Sequence, residues 1–302
     1  MTPVLSALWP LFTLIILGYL LRRQGFPSES FWPGADRLNY FLLFPSLLFS
    51  SLALAPLHSP ALPGLAAAVF LALGLAWLAL LLVRRWRGWG AGRFGAIAQG
   101  TLRFNTYLGL AIIGSLFGQE GLALAALMLA LMVPTLNLLS VWALSAERGI
   151  SLKGLLLPIL RNPLILACAG GALFNLLDIG LPWGSDRLLA LLAAASLPLG
   201  LLCVGAALNL GELGRQLGVL GVNTGIRLLL MPLMAFGVAR LLNLPALEAS
   251  VLVVFFALPT APTAYALTRQ LGGDSQLMAG LITLQTLLAV ASLPLVLALL
   301  TT

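Results

Sequence analysis

Apolar runs of about 20 residues recur from one end of the chain to the other, separated by short segments rich in Gly, Pro and Arg. Each run is long enough to cross a hydrocarbon core of about 30 Å as a helix. The pattern predicts ten spans, at about 4–21, 36–55, 61–83, 94–117, 120–145, 155–177, 185–209, 216–241, 247–270 and 276–300. The breaks carry turn chemistry: Gln24-Gly25-Phe26-Pro27, Leu57-His58-Ser59-Pro60, Arg87-Gly88-Trp89-Gly90, Gly180-Leu181-Pro182 and Gly272-Gly273-Asp274. The expected fold is therefore an all-α integral membrane protein.

The pattern also repeats. A shift of about 153 residues lays Pro10 on Pro163, Gly18 on Gly171 and Pro45 on Pro198. A shift of about 155 lays Phe117–Leu122 on Gly272–Leu277, and Asn105-Thr106 on Thr260-Ala261. The chain thus divides into two five-helix repeats, 1–151 and 152–302. An odd number of crossings per repeat inverts the second against the first. Inverted repeats meeting at broken helices are the construction of a secondary transporter.

Composition narrows the class. Hydrophobic residues make up 61% of the 302 and charged residues 8%, against about 25% charged in soluble domains. The net charge of +7 is not a nucleic-acid signal, because the basic residues sit in short loops. Loops 1–2, 3–4 and 5–6 hold Arg22, Arg23, Arg37, Arg84, Arg85, Arg87, Arg93, Arg148, Lys153 and Arg161. Loops 7–8 and 9–10 add Arg215 and Arg269, while the even loops hold only Arg187 and Arg240. This bias puts the odd loops in the cytoplasm and both termini on the non-cytoplasmic side of the cell membrane. The first apolar run has no basic residue before it and Arg22-Arg23 after it. That is the reverse of a cleavable signal peptide, so the segment is expected to stay as helix 1. Cys168 and Cys203 lie in apolar runs and fit packing, with no metal spacing. His58 is alone in a Pro-rich turn.

Two intramembrane segments carry the candidate chemistry. Helix 4 reads Arg103-Phe104-Asn105-Thr106-Tyr107, and helix 9 reads Pro259-Thr260-Ala261-Pro262-Thr263, at equivalent places in the two repeats. Two prolines three apart remove ladder hydrogen bonds and open helix 9. Asn105 and Thr106 compete for backbone groups in helix 4. The freed N–H groups and positive half-helix ends suit an anion; the bland alternative is a pair of kinked, packed helices. Arg103 lies inside a span, and a guanidinium grips a carboxylate bidentately. It either holds a substrate anion, binds backbone carbonyls or snorkels to the interface. Arg227, also inside a span, reads as structural. Tyr107, Asn137, Tyr265 and Gln285 are possible pocket lining, and Asn209 is a further intramembrane amide. Interhelical bonding or packing explains each of these equally. No Asp or Glu lies well inside any span. There is no phosphate-binding Walker sequence, Gly-x-Ser-x-Gly, His-Glu-x-x-His or intramembrane aspartate pair. An ATP-driven pump and an enzyme are disfavoured accordingly.

Pro10-Leu-Phe, Gly18-Tyr-Leu-Leu-Arg-Arg, Leu43-Phe-Pro45-Ser-Leu-Leu-Phe, Arg103-Phe-Asn105, Arg161-Asn162-Pro163, Ala257-Leu-Pro259-Thr260-Ala261 and Thr286-Leu-Leu-Ala-Val-Ala-Ser-Leu-Pro294 occur in order along the whole chain. They resemble the auxin efflux carrier family, in a compact, bacterial-type form without a long central loop. The resemblance implies a fold of the bile acid/sodium symporter type, with helices 1, 2, 6 and 7 as scaffold. Helices 3–5 and 8–10 would move around crossed, broken helices 4 and 9. It implies export of organic carboxylates, from auxin-like acids to small mono- or dicarboxylates, by an elevator mechanism. The expected partners are the small organic anion and the lipid bilayer, with a homodimer through the scaffold helices and no cofactor. Asn105 matches the family's crossover Asn, whereas helix 9 offers Thr260 where the family has a second Asn. Sodium- or proton-coupled symport, a channel, and a non-transporting receptor or membrane enzyme are the alternatives.

Overall fold

The computed structural model describes residues 2–54, 62–145, 161–214 and 216–300. His58, Arg148, Lys153 and Arg215 lie outside the described residues. No strand occurs among the described residues. Six runs there are long and apolar enough to cross a bilayer: Ser6–Arg23, Leu62–Arg87, Ala91–Ser145, Ser185–Ala206, Leu217–Leu241 and Ser275–Ala298. Pro163–Leu176 and Ala246–Ala257 are shorter apolar helices.

The chain divides into two compact units, each drawing on both halves of the sequence. The first contains residues 1–62, 106–133 and 160–207. Its helices are α1 (Thr2–Arg23), α2 (Phe31–Leu38), α3 (Phe44–Ala53), the first part of α6 (Thr106–Ser145), α7 (Pro163–Leu176) and α8 (Ser185–Ala206). The second contains 63–105, 134–159 and 208–302. It holds α4 (Leu62–Arg87), α5 (Ala91–Leu102), the end of α6, α9 (Leu217–Gly225), α10 (Met231–Leu241), α11 (Ala246–Ala257), α12 (Thr263–Gln270) and α13 (Ser275–Leu300).

In the first unit α1 lies along α8 and α3 along α7. Glycines set both contacts. A Cβ at Gly18 would strike the Leu202 carbonyl, one at Gly205 the Ile15 carbonyl, and one at Gly171 the Phe49 carbonyl. Backbones that pack this closely need small residues, and in lipid such contact is a main source of helix association. Polar pairs add to these contacts, one between the Asn39–Leu43 turn and α8 and one between α7 and α3. The Asn39 amide donates to the Ser196 carbonyl (3.0 Å) and accepts from the Ser196 hydroxyl (2.9 Å), and the Asn175 amide donates to the Ala53 carbonyl (2.9 Å).

Two wide π-helical turns interrupt otherwise continuous helices, Asn39–Leu43 between α2 and α3 and Ile226–Leu230 between α9 and α10. Each is followed closely by a proline, Pro45 or Pro232. A proline ring clashes with the carbonyl four residues back, and widening the preceding turn relieves that clash. Both turns also carry a buried polar side chain, Asn39 in one and Arg227 in the other.

In the second unit an aromatic cluster joins α4, α5 and α6. Trp77 meets Phe94 (5.9 Å) and Trp142 (5.4 Å), and the Arg84 guanidinium lies over Phe94 (4.9 Å) and Trp142 (5.8 Å). The basic residues closing α4 therefore find aromatic faces as well as water. Within α6, Gly118 (φ 59°, ψ −147°) breaks the helix between residues 117 and 119 in a conformation open only to glycine.

Two boundaries differ from expectation. The expected span 185–209 ends at Ala206, and Asn209 lies beyond it, exposed. There its side chain takes the Gly211 N–H (3.2 Å), while its own N–H donates to the Thr283 hydroxyl (3.0 Å). Asn competes well for backbone donors at such a cap. Within the expected span 155–177, α7 starts at Pro163, where Asn162 caps it by accepting from the Leu164 N–H (2.9 Å) and the Ile165 N–H (3.4 Å).

Candidate functional site

Two helices of the second unit, α5 and α11, stop at interruptions of the chain. α11 ends because Pro259 follows: Leu258, before it, is extended (φ −68°, ψ 146°), as residues preceding proline usually are. Pro262 then leads into α12 with its fixed φ near the helical value (φ −57°). α5 ends without a proline. Arg103 turns extended (φ −73°, ψ 152°), and the chain restarts as a helix at Thr106.

Side chains replace what the α5 end loses. A helix C-terminus leaves its last carbonyls without ladder partners. The Gly100 carbonyl accepts from the Thr260 hydroxyl (2.8 Å) and the Gln285 amide (2.9 Å). The Thr101 carbonyl accepts from Arg227 (2.9 Å). The two interruptions are tied directly, since the Asn105 N–H donates to the Pro259 carbonyl (2.8 Å). Gln285 is wholly buried; it also accepts from the Thr260 N–H (2.9 Å) and donates to Asn223 (3.0 Å). The Asn223 amide in turn donates to the Thr101 hydroxyl (2.8 Å) and the Ile97 carbonyl (3.1 Å).

Arg227 closes this network. Only 1% of it is exposed, and it donates to the Leu258 (2.6 Å), Thr101 (2.9 Å) and Phe255 (2.9 Å) carbonyls. One guanidinium thus sits at the carboxyl ends of α5 and α11 together, where both helix dipoles are negative.

Arg103 faces a different set of atoms. It is half-buried, and its guanidinium donates to Asn137 Oδ1 (3.0 Å) and Thr263 Oγ1 (3.4 Å). The unit therefore brings together Arg103, Asn105, Asn137, Pro259, Thr260, Thr263 and Gln285 of the expected residues. Pro262 is half-buried at the head of α12. Tyr265 stands 38% exposed on α12. Thr106 and Tyr107 belong to the first unit, where Tyr107 sets its ring edge-on to Phe44 at 4.9 Å.

Asn223 joins this network through Thr101, Ile97 and Gln285, and sequence reasoning missed it. Its spacing carried a signal, because positions 223 and 227 lie on one helix face. A polar pair on one face of an otherwise apolar span points inward. Chemically, the set places one half-buried guanidinium and several amide and hydroxyl groups at the junction of two interrupted helices. That arrangement can hold a small anion by charge-assisted hydrogen bonds.

Residues 148–297 match the protein family described as "Membrane transport protein". An "Uncharacterized transporter" of Methanothermobacter thermautotrophicus is 31% identical over 289 residues, covering 93% of each chain.

Proposed function

Because the chain belongs to the auxin efflux carrier family of membrane transport proteins, we propose that it is a secondary carrier that exports organic carboxylate anions by alternating access. The observation that carries this reading is the joined pair of interruptions, at 103–105 and 258–262, with the Arg103 guanidinium held beside them by Asn137 and Thr263. Broken helices offer backbone groups and half-helix ends to a substrate at membrane depth, and Arg103 adds the charge that selects an anion.

The ten-span inverted repeat belongs to the same proposal, and three pairs of positions support it. α5 and α11 are both 12 residues long and both end at an interruption. Gly118 (φ 59°) and Gly272 (φ 67°) follow the second halves of the two broken helices with positive φ. Gly18 and Gly171 both mark backbone-to-backbone contacts. The elevator reading treats helices 1, 2, 6 and 7 as scaffold and helices 3–5 and 8–10 as the moving part. In its favour, 1–62 and 160–207 share one unit and 63–105 and 208–302 the other; residues 106–133 fall with the first unit. The excess of Lys and Arg in the odd loops favours both termini on the non-cytoplasmic side of the cell membrane.

The test is counterflow in proteoliposomes against a panel of labelled mono- and dicarboxylates. The proposal expects saturable exchange of at least one carboxylate, abolished or strongly weakened in Arg103→Ala protein that remains folded. Exchange of cations or neutral solutes in preference to every carboxylate would reject the substrate class.

A further inference from the structure

Broken-helix carriers commonly bind a small cation where half-helix carboxyl ends and unwound carbonyls converge, because that place concentrates negative partial charge. In this chain the place is taken. The Thr101, Phe255 and Leu258 carbonyls come from the ends of α5 and α11, and all three accept hydrogen bonds from Arg227. The guanidinium is buried, and its three described partners are main-chain carbonyls rather than a carboxylate. Its charge is therefore balanced by the helix ends themselves.

We propose that Arg227 is a tethered resident cation: it occupies the cation site formed by the two half-helix ends, so the junction holds together without a bound sodium or potassium ion. Arg227 reaches this site because it lies in the wide turn Ile226–Leu230, and Asn223, one helical turn earlier, anchors the same face to Thr101 and Ile97. The ion-free consequence for transport rests on the carrier reading above. The site itself does not, since occupancy by the side chain is a property of the folded protein whether or not carboxylates are carried.

Removing the side chain exposes the three carbonyls to solution ions. The experiment is thermal unfolding of purified full-length protein in detergent, in sodium, potassium, guanidinium and choline chlorides at equal, millimolar ionic strength. Wild-type protein is expected to melt at one temperature in all four. Arg227→Ala should melt lower in choline, and sodium, potassium or guanidinium should raise its midpoint by about 3 °C or more, as a ligand specific to the folded state does. Arg227→Lys, which keeps a tethered charge and three donors, should stay indifferent to the salt. Arg227→Gln fills part of the space without charge and should show an intermediate response. A sodium-specific rise in wild-type protein would overturn the proposal. So would Arg227→Ala and Arg227→Gln that melt, or aggregate, alike in all four salts, because Arg227 would then be a helix cap and nothing more. A carboxylate counterflow that fails while Arg227→Ala responds to cations would reject the carrier reading and leave the resident cation standing.

Discussion

Arg103 donates to two neutral oxygens, Asn137 Oδ1 and Thr263 Oγ1, which help to fix its direction. A charge-assisted hydrogen bond contributes about 1.5–3 kcal/mol. Arg103→Ala should therefore weaken substrate affinity roughly 10- to 100-fold, with little change in melting temperature. Arg103→Lys should also be impaired, because an ammonium cannot form the bidentate pair. Transport assays on the two variants check this, and normal transport by Arg103→Ala would remove the anion clamp. The glycines make an independent test. Gly205→Ala sets a methyl group against the Ile15 carbonyl, and overpacking of this kind costs about 1–3 kcal/mol. Gly74, with nothing within 4 Å of a built Cβ, should accept alanine with unchanged or slightly higher stability. Thermal unfolding of the pair separates backbone contact from mere helix content. Arg103, Asn137 and Thr263 were legible in the sequence because polar groups are conspicuous in apolar spans. Their mutual contact was not, since it joins positions far apart in the chain.

The two interruptions differ in how far the sequence announces them. Pro259 and Pro262 remove donors and force Leu258 to be extended, so the break in the ninth span follows from local chemistry. The α5 break has no proline, and only Asn105-Thr106 hints at it. What stabilises it is tertiary: Thr260, Gln285 and Arg227 take the Gly100 and Thr101 carbonyls. The wide turns before Pro45 and Pro232 were equally hidden, because a proline within a span signals strain but not how the helix relieves it. This dependence on tertiary partners is measurable. Gln285→Leu deletes three bonds, to the Thr260 N–H, the Gly100 carbonyl and Asn223. Intramembrane bonds average about 0.6 kcal/mol each, because the unfolded chain in a bilayer also finds partners. The expected loss is then about 2 kcal/mol, read as a lower melting temperature together with reduced transport. Unchanged stability would mean that α5 ends for a reason other than these side chains.

At the scale of the molecule, alternating apolar runs and the loop charge bias suffice to propose ten crossings and an orientation, since lipid leaves the backbone few choices. The compact units were less legible, because each gathers segments from both halves of the chain. Cysteines introduced by Ser28→Cys and Gly88→Cys should react only from the cytoplasm, and one introduced by Trp183→Cys only from outside. Native Cys168 and Cys203 are buried and should give little background. Labelling of all three from one side would contradict the span count, and a reversed pattern would contradict the orientation. Energy coupling is the claim that joins all scales. The sequence pattern puts no acid well inside an expected span, and Arg227 takes the carbonyls where a cation would bind. An anion leaving a negative interior gains about 2.3 kcal/mol per charge per 100 mV. The most direct measurement is labelled-carboxylate flux in proteoliposomes, with the potential clamped by potassium and valinomycin and sodium or pH gradients imposed separately. The account predicts flux that follows the potential and ignores the sodium gradient. Flux that ignores the potential and follows sodium would contradict it.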